Sequence, residues 1–116
     1  MPSPDFCLFC GIVDGSIPSE QVYADDQVVA FRDIAPAMPV HVLVVPRLHV
    51  PDVATLAQSD VALLGAVFGA AAHVAQSEGL TGGYRLLANT GPDSGQTVFH
   101  LHVHVLGGKN MGALAG

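Results

Sequence analysis

Apolar and polar residues fall into short alternating blocks around one long helical stripe. Cys7 to Asp14 is short and mostly apolar, enough for one or two helical turns, and Gly15 and Pro18 stop it. Gln21 to Ala24 and Gln27 to Ile34 read as strands around an Asp25-Asp26 turn, which predicts a hairpin. Pro36 and Pro39 bracket a loop, and the β-branched stretch Val40 to Val45 predicts a strand closed by Pro46. Val61, Leu64, Val67, Phe68, Ala71, Val74 and Ala75 then recur with helical spacing, the stripe of a helix that packs on a sheet. Ser59 or Asp60 is placed to cap its start and Gly79 to stop its end. Tyr84 to Ala88 reads as a strand, and Asn89 to Gln96 as a loop. Val98 to Leu106 alternates as a last strand, ended by Gly107-Gly108. Most strands follow one another through short turns, with the helices set apart. The expected fold is therefore α+β: an antiparallel sheet of about five strands with one long and one short helix, in a single domain over residues 1–116.

Composition narrows the function classes. Of the 116 residues 50% are hydrophobic and 12% charged, which excludes a disordered chain. Four Lys+Arg against ten Asp+Glu give a formal net charge of −6. So few cations cannot neutralise a run of phosphates, and no nucleic-acid partner is expected. Small anionic ligands stay open, because backbone amides and histidines can hold them. No basic region precedes an apolar run in MPSPDFCLFC, so no secretory signal is read there. Val61 to Ala75 falls short of the roughly 20 residues a bilayer span needs, and His73 interrupts it. A cytoplasmic protein with no membrane partner is expected.

The six histidines outnumber the Lys and Arg together, and three stand in alternation at His100, His102 and His104. On a strand these share one face at roughly 6.6 Å intervals, with Leu101, Val103 and Val105 on the other. Such a face is a His-rich polar surface, a metal site shared by neighbouring histidines, or a nucleophilic centre. One metal cannot take all three without strain, since the outer pair lies roughly 13 Å apart. The loop before the strand favours the nucleophile. Gly91, Ser94 and Gly95 allow a turn whose amides converge on an anion, and Gln96 and Thr97 add polar side chains. An anion cradle beside an imidazole suits chemistry at phosphorus, with a phosphoryl-imidazole formed and then hydrolysed.

At these residues the sequence resembles the histidine triad (HIT) family, whose signature stands here as His100-Leu-His102-Val-His104-Val-Leu. The flanking Gly95-Gln-Thr-Val-Phe and Gly107-Gly108 are most similar to the Hint branch, the nucleoside phosphoramidases. The resemblance runs through Val29-Ala-Phe-Arg-Asp-Ile, Pro39-Val-His-Val-Leu-Val-Val-Pro-Arg-Leu-His49 and Gly83-Tyr-Arg-Leu-Leu-Ala-Asn89. A glutamine would replace His104 in the transferase branch. The resemblance implies hydrolysis of the P–N bond of purine nucleoside 5'-phosphoramidates, in a homodimer. His102 would be the nucleophile and His104 would contact the phosphate, with His41 as support behind them. The Gln96 to Val98 backbone, with Thr97 and Gly95, would help hold the phosphate and the leaving amine, and Asn89 would also lie at the phosphate. Asp33 would bind the ribose, and Leu8, Phe9, Ile12, Phe31 and Ile34 would clamp the purine. Without the resemblance the apolar five are ordinary core, Asp33 a turn residue and His41 a satisfied strand histidine. Relatives usually carry Ser where Thr97 stands, and often a tryptophan in the tail that Met111 to Gly116 lacks. The same nucleophile also suits dinucleoside polyphosphates, and a nucleotide-binding module with little turnover is a further alternative.

Cys7-x-x-Cys10 is half of a zinc site, too few cysteines for a disulfide framework. A structural zinc takes four ligands, and His49 and His100 are the candidates to complete it. Several bacterial relatives look like this. Such an ion would staple the N-terminal segment to the sheet and take no part in the chemistry. Two buried thiols or a redox pair are the other readings. His73, alone in its helix, reads as structural.

Overall fold

Asp25 makes the hairpin expected at residues 25–26. Its Oδ1 accepts from the backbone N–H groups of Gln27 and Val28, both at 2.8 Å. This Asx turn reverses the chain between β1 (Gln21–Ala24) and β2 (Val28–Arg32). The structure is a computed structural model and describes residues 7–113. Residues 1–6, within the segment read for a secretory signal, and 114–116, the end of the tail, lie outside the described residues. The remaining elements are α1 (Leu8–Asp14), β3 (Val40–Pro46), α2 (Val53–Ser59), α3 (Val61–Ser77), β4 (Tyr84–Leu87) and β5 (Val103–Gly107). The sheet order is β1-β2-β3-β5-β4, with every neighbouring pair antiparallel. This is the five-stranded α+β architecture expected.

Strand alternation sorts the core into two faces. Val28, Ala30, Val42, Val44, Val103 and Val105 pack against Val67, Ala71 and Val74 of α3. Val29, Phe31, Leu43 and Val45 point the other way and meet Phe9 and Ile12 of α1. All of these are buried, and each Val-sized or larger side chain so buried contributes about 1.5–3 kcal/mol. Of the two caps offered for α3, Asp60 serves: its Oδ1 accepts from the Leu63 N–H at 3.0 Å. Gly79 ends the helix at φ +76. Its N–H donates to the Gln76 carbonyl and that of Leu80 to the Ala75 carbonyl, a Schellman closure.

Two features depart from the sequence reading. Helix α2 was not anticipated, being too short to display a periodic stripe. Asp52 caps it by accepting from the Thr55 N–H at 2.8 Å, and Leu56 anchors it in a cluster with Val50, Leu63 and Leu101. The last strand, expected over Val98 to Leu106, forms a ladder only from Val103 to Gly107. Its register pairs Val103 with Val44, so further pairing would set Leu101 against Pro46, which has no N–H to donate. The segment before β5 is tied instead to the connection between β3 and α2. There the Leu101 N–H donates to the Val50 carbonyl at 2.7 Å. His100 Nε2–H donates to the Pro46 carbonyl at 2.8 Å. No helix among the described residues is long and apolar enough to cross a membrane.

Candidate active site

The three triad histidines line the α1 side of the sheet but divide among different neighbours. His102 and His104 stay together, with ring centroids 5.1 Å apart. His100 is wholly buried and turns toward Cys7, Cys10 and His49.

Backbone groups fix the tautomers. A carbonyl only accepts, so the contact of His102 Nδ1 with the His100 carbonyl at 2.8 Å puts the proton on Nδ1 and leaves a lone pair on Nε2. The Ala37 amide only donates, so His41 Nδ1 accepts from it at 3.0 Å. His41 Nε2–H therefore donates to His104 Nδ1 at 2.9 Å, and the His104 proton sits on Nε2. Burial lowers the His102 pKa, partly offset by its bond to the His100 carbonyl and by the Asp33 charge. Burial, with His102 and His41 as further causes, holds His104 down to about 4. The centre thus presents one imidazole lone pair beside one N–H donor.

A cavity of about 260 Å³ opens beside these rings, and Leu8, Phe9, Ile12, Phe31, Asp33, Ile34 and Val98 all line it. Phe9 stands edge-on to His102 at 5.0 Å and to Phe31 at 5.4 Å. Ile34 is 99% exposed, so it forms the mouth of the cavity and not a closed wall. Asp33 Oδ1 accepts from the Ala35 N–H at 2.8 Å, while Oδ2 lies 3.4 Å from His41 Nε2. Ile17, Pro18, Ser19, Arg32 and Leu43 also line the cavity without having been anticipated. Leu43 was within reach, because it alternates with His41 and pairs with Phe31. Ile17 to Ser19 lie in a loop and carry no periodic signal.

The loop before the triad closes on itself around Gly91. The Ser94 and Gln96 amides and the Ser94 hydroxyl all donate to the Gly91 carbonyl, and Gly95 sits at φ +95. Among the described residues the Thr97 and Val98 amides donate to no carbonyl, and the Thr97 side chain is exposed. Asn89 lies two residues beyond Leu87, which pairs with His104. The Gln96 side chain, expected to face the ligand, turns into the loop instead: its Nε2 donates to the Pro51 and Val98 carbonyls.

Cys7, Cys10, His49 and His100 bring four ligand atoms within 4.8 Å of one another. With the His100 Nε2 proton committed to Pro46, its Nδ1 carries a lone pair toward the group. That Nδ1 lies 3.4 Å from Cys7 Sγ, 3.5 Å from Cys10 Sγ and 3.2 Å from His49 Nδ1. A tetrahedral ion with ordinary Zn–N and Zn–S bonds needs donor separations of about 3.3–3.8 Å, so the residues fit one. Burial and the Cys7 thiol raise the Cys10 pKa to about 11. His73 is exposed, with its ring 5.3 Å from that of Tyr23.

A profile of the HIT domain matches residues 14–111, which include the triad but begin after both cysteines. Protein HitA of Neisseria gonorrhoeae is 43% identical over 103 residues, 89% of this chain and 96% of that protein. Purine nucleoside phosphoramidase of Escherichia coli K12 is 42% identical over 108 residues, 92% of this chain and 91% of the relative. The crystal structure of a HIT family hydrolase from Legionella pneumophila superposes with a TM-score of 0.90 at 41% identity, covering 96% of this chain and all of that one. These neighbours agree with the hydrolase expected from the sequence. A profile spanning most of the chain, and relatives similar along nearly all of it, place the motif at His100 to His104 beyond coincidence: the chain belongs to the HIT family.

Proposed function

We propose that this protein hydrolyses the P–N bond of purine nucleoside 5'-phosphoramidates through a nucleotidyl-histidine intermediate on His102. The observation that carries the reading is the tautomer of His102, whose Nδ1–H donates to the His100 carbonyl and whose Nε2 lone pair is free. Nε2 attacks the phosphorus, the P–N bond breaks, and the amine leaves with a proton. The Thr97 hydroxyl is the group proposed to relay that proton to the nitrogen, taking one from solvent in exchange. The new imidazolium keeps its Nδ1–H on the His100 carbonyl, which stabilises the positive charge. Water then attacks phosphorus, releasing the nucleoside monophosphate and restoring the neutral imidazole.

Preorganised donors supply the rest. His104 Nε2–H and the Thr97 and Val98 amides meet the charge that develops on the phosphoryl oxygens, with the Gly95 to Gln96 backbone shaping the loop and Asn89 beside it. The cavity lined by Leu8, Phe9, Ile12, Phe31 and Ile34 takes the purine, and Asp33 takes the ribose hydroxyls. His41 keeps the His104 proton on the side facing the phosphate.

The Cys7, Cys10, His49 and His100 group suits a structural zinc. When bound, the ion holds α1, and with it Phe9, against the sheet. A homodimer also fits. Helix α3 carries no Asp, Glu, Lys or Arg, and it exposes Val61, Gly65, Gly69 and Ala72, while β4 is an edge strand with Tyr84 exposed. Two free thiols suit a reducing compartment, and the cytoplasm is the proposed location.

The test is turnover of an AMP-phosphoramidate and of a diadenosine polyphosphate by wild type and His102→Ala. Preferred turnover of the phosphoramidate, lost in the variant, is expected. Absence of wild-type phosphoramidate turnover sinks the reading.

A further inference from the structure

We propose that Gln96 is a positioning residue, whose buried carboxamide locks the loop ahead of the triad in the shape that holds a phosphate. The inference rests on the nucleotide reading of this site. Gln96 is 5% exposed, yet all three of its usual amide functions are engaged. Oε1 accepts from the Gly91 N–H at 2.8 Å. Nε2 donates to the Pro51 carbonyl at 2.7 Å and to the Val98 carbonyl at 3.1 Å. One side chain therefore joins Gly91 within the loop, Val98 just after it and the connection between β3 and α2.

Only a carboxamide of this length meets that requirement. The three partners comprise one donor and two acceptors, and glutamine offers the matching acceptor and two protons. The consequence falls on the next two residues. With the Val98 carbonyl held inward and the Gly91 turn closed, the Thr97 and Val98 amides are left without backbone acceptors, available to an anion. Donors fixed before the ligand arrives stabilise charge without reorganising, and that is what a phosphoryl centre needs. The Gln96 side chain itself turns into the loop, away from the anion cradle.

The cavity proposed for the purine is lined by α1, β2, β3 and the loops after α1 and β2; Val98 also lines it, and Gln96 does not. Phosphate binding and nucleoside binding should therefore separate on substitution. The experiment measures affinity for AMP and for adenosine by calorimetry in wild type, Gln96→Met and Gln96→Glu, with melting temperature and metal content followed in parallel. Methionine keeps the volume and removes all three bonds; glutamate keeps an acceptor for the Gly91 amide and loses both donors when ionised. The AMP-to-adenosine affinity ratio should fall about tenfold in each folded variant, the scale of one lost charge-assisted hydrogen bond. Adenosine affinity should change less than twofold. An unchanged ratio in either folded variant overturns the inference, as does a wild type that binds AMP no better than adenosine. Failure of the proposed reaction would look different: AMP would bind with its phosphate preference intact, and no phosphoramidate would turn over.

Discussion

His41 Nε2 lies 2.9 Å from His104 Nδ1, and the direction of that hydrogen bond is set from four residues upstream, by the Ala37 amide on His41 Nδ1. A backbone N–H thus determines which nitrogen of His104 carries the proton. Replacing His41 by leucine keeps most of the volume and frees His104 to take either tautomer. Turnover in His41→Leu should fall by up to about 100-fold, the scale of one misdirected donor to a developing oxyanion. His41→Gln, which retains a donor, should lose less. Steady-state kinetics of both variants decide this, and equal loss in the two would contradict a directional role.

His104 also makes stability depend on pH. In the unfolded chain an exposed histidine titrates near 6.5, whereas burial, then His102 and His41, hold it to about 4 in the fold. Between those values the unfolded chain binds more protons, so stability falls as pH drops from about 6.5 and the loss is complete below about 4. Thermal melts from pH 7.5 down to 4.5 should show a steeper decline for wild type than for His104→Gln. Parallel declines would contradict the assignment.

How much of this was legible in the sequence follows from where the constraints lie. The β3 and α3 patterns are local, and Val40, Asp60 and Gly79 mark real ends of elements. The shortened β5 is not local: it depends on Pro46, a residue of the neighbouring strand that offers no N–H. The cavity follows the same rule. Phe9, Phe31 and Ile34 came with the family motif, whereas Ile17 and Ser19 enter only because the loop after α1 folds back over the sheet. The sequence offers Gln96 as a polar side chain for the anion cradle ahead of the histidine strand. Its inward turn is dictated by the Pro51 carbonyl, 45 residues away in the chain.

The thiol and imidazole cluster predicts a metal-dependent fold. Protein purified without added metal should carry one zinc per chain, and Cys7→Ser should carry much less. Removing the ion should lower the melting temperature by several degrees, since a metal bound only by the native state adds its binding energy to folding. Metal analysis with thermal melts checks both, and a metal-free native protein of unchanged stability would sink the zinc.

Phe9, on α1, meets the Phe31 and His102 rings edge to face and is buried. Phe9→Ala should cost about 3 kcal/mol of stability, typical of a large-to-small core change. It should also raise KM more than it lowers kcat, because the ring forms the cavity wall and takes no part in bond breaking. Denaturant titration and kinetics on one preparation test the pair of effects.

The nucleophile can be observed directly. Rapid acid or base quench of wild type turning over an AMP-phosphoramidate, followed by peptide mass spectrometry, should place one nucleoside monophosphate on the peptide containing His102, attached to that imidazole. The adduct should be absent from His102→Ala. Wild-type turnover with no adduct at any quench time, or turnover retained in His102→Ala, would contradict nucleophilic catalysis by His102.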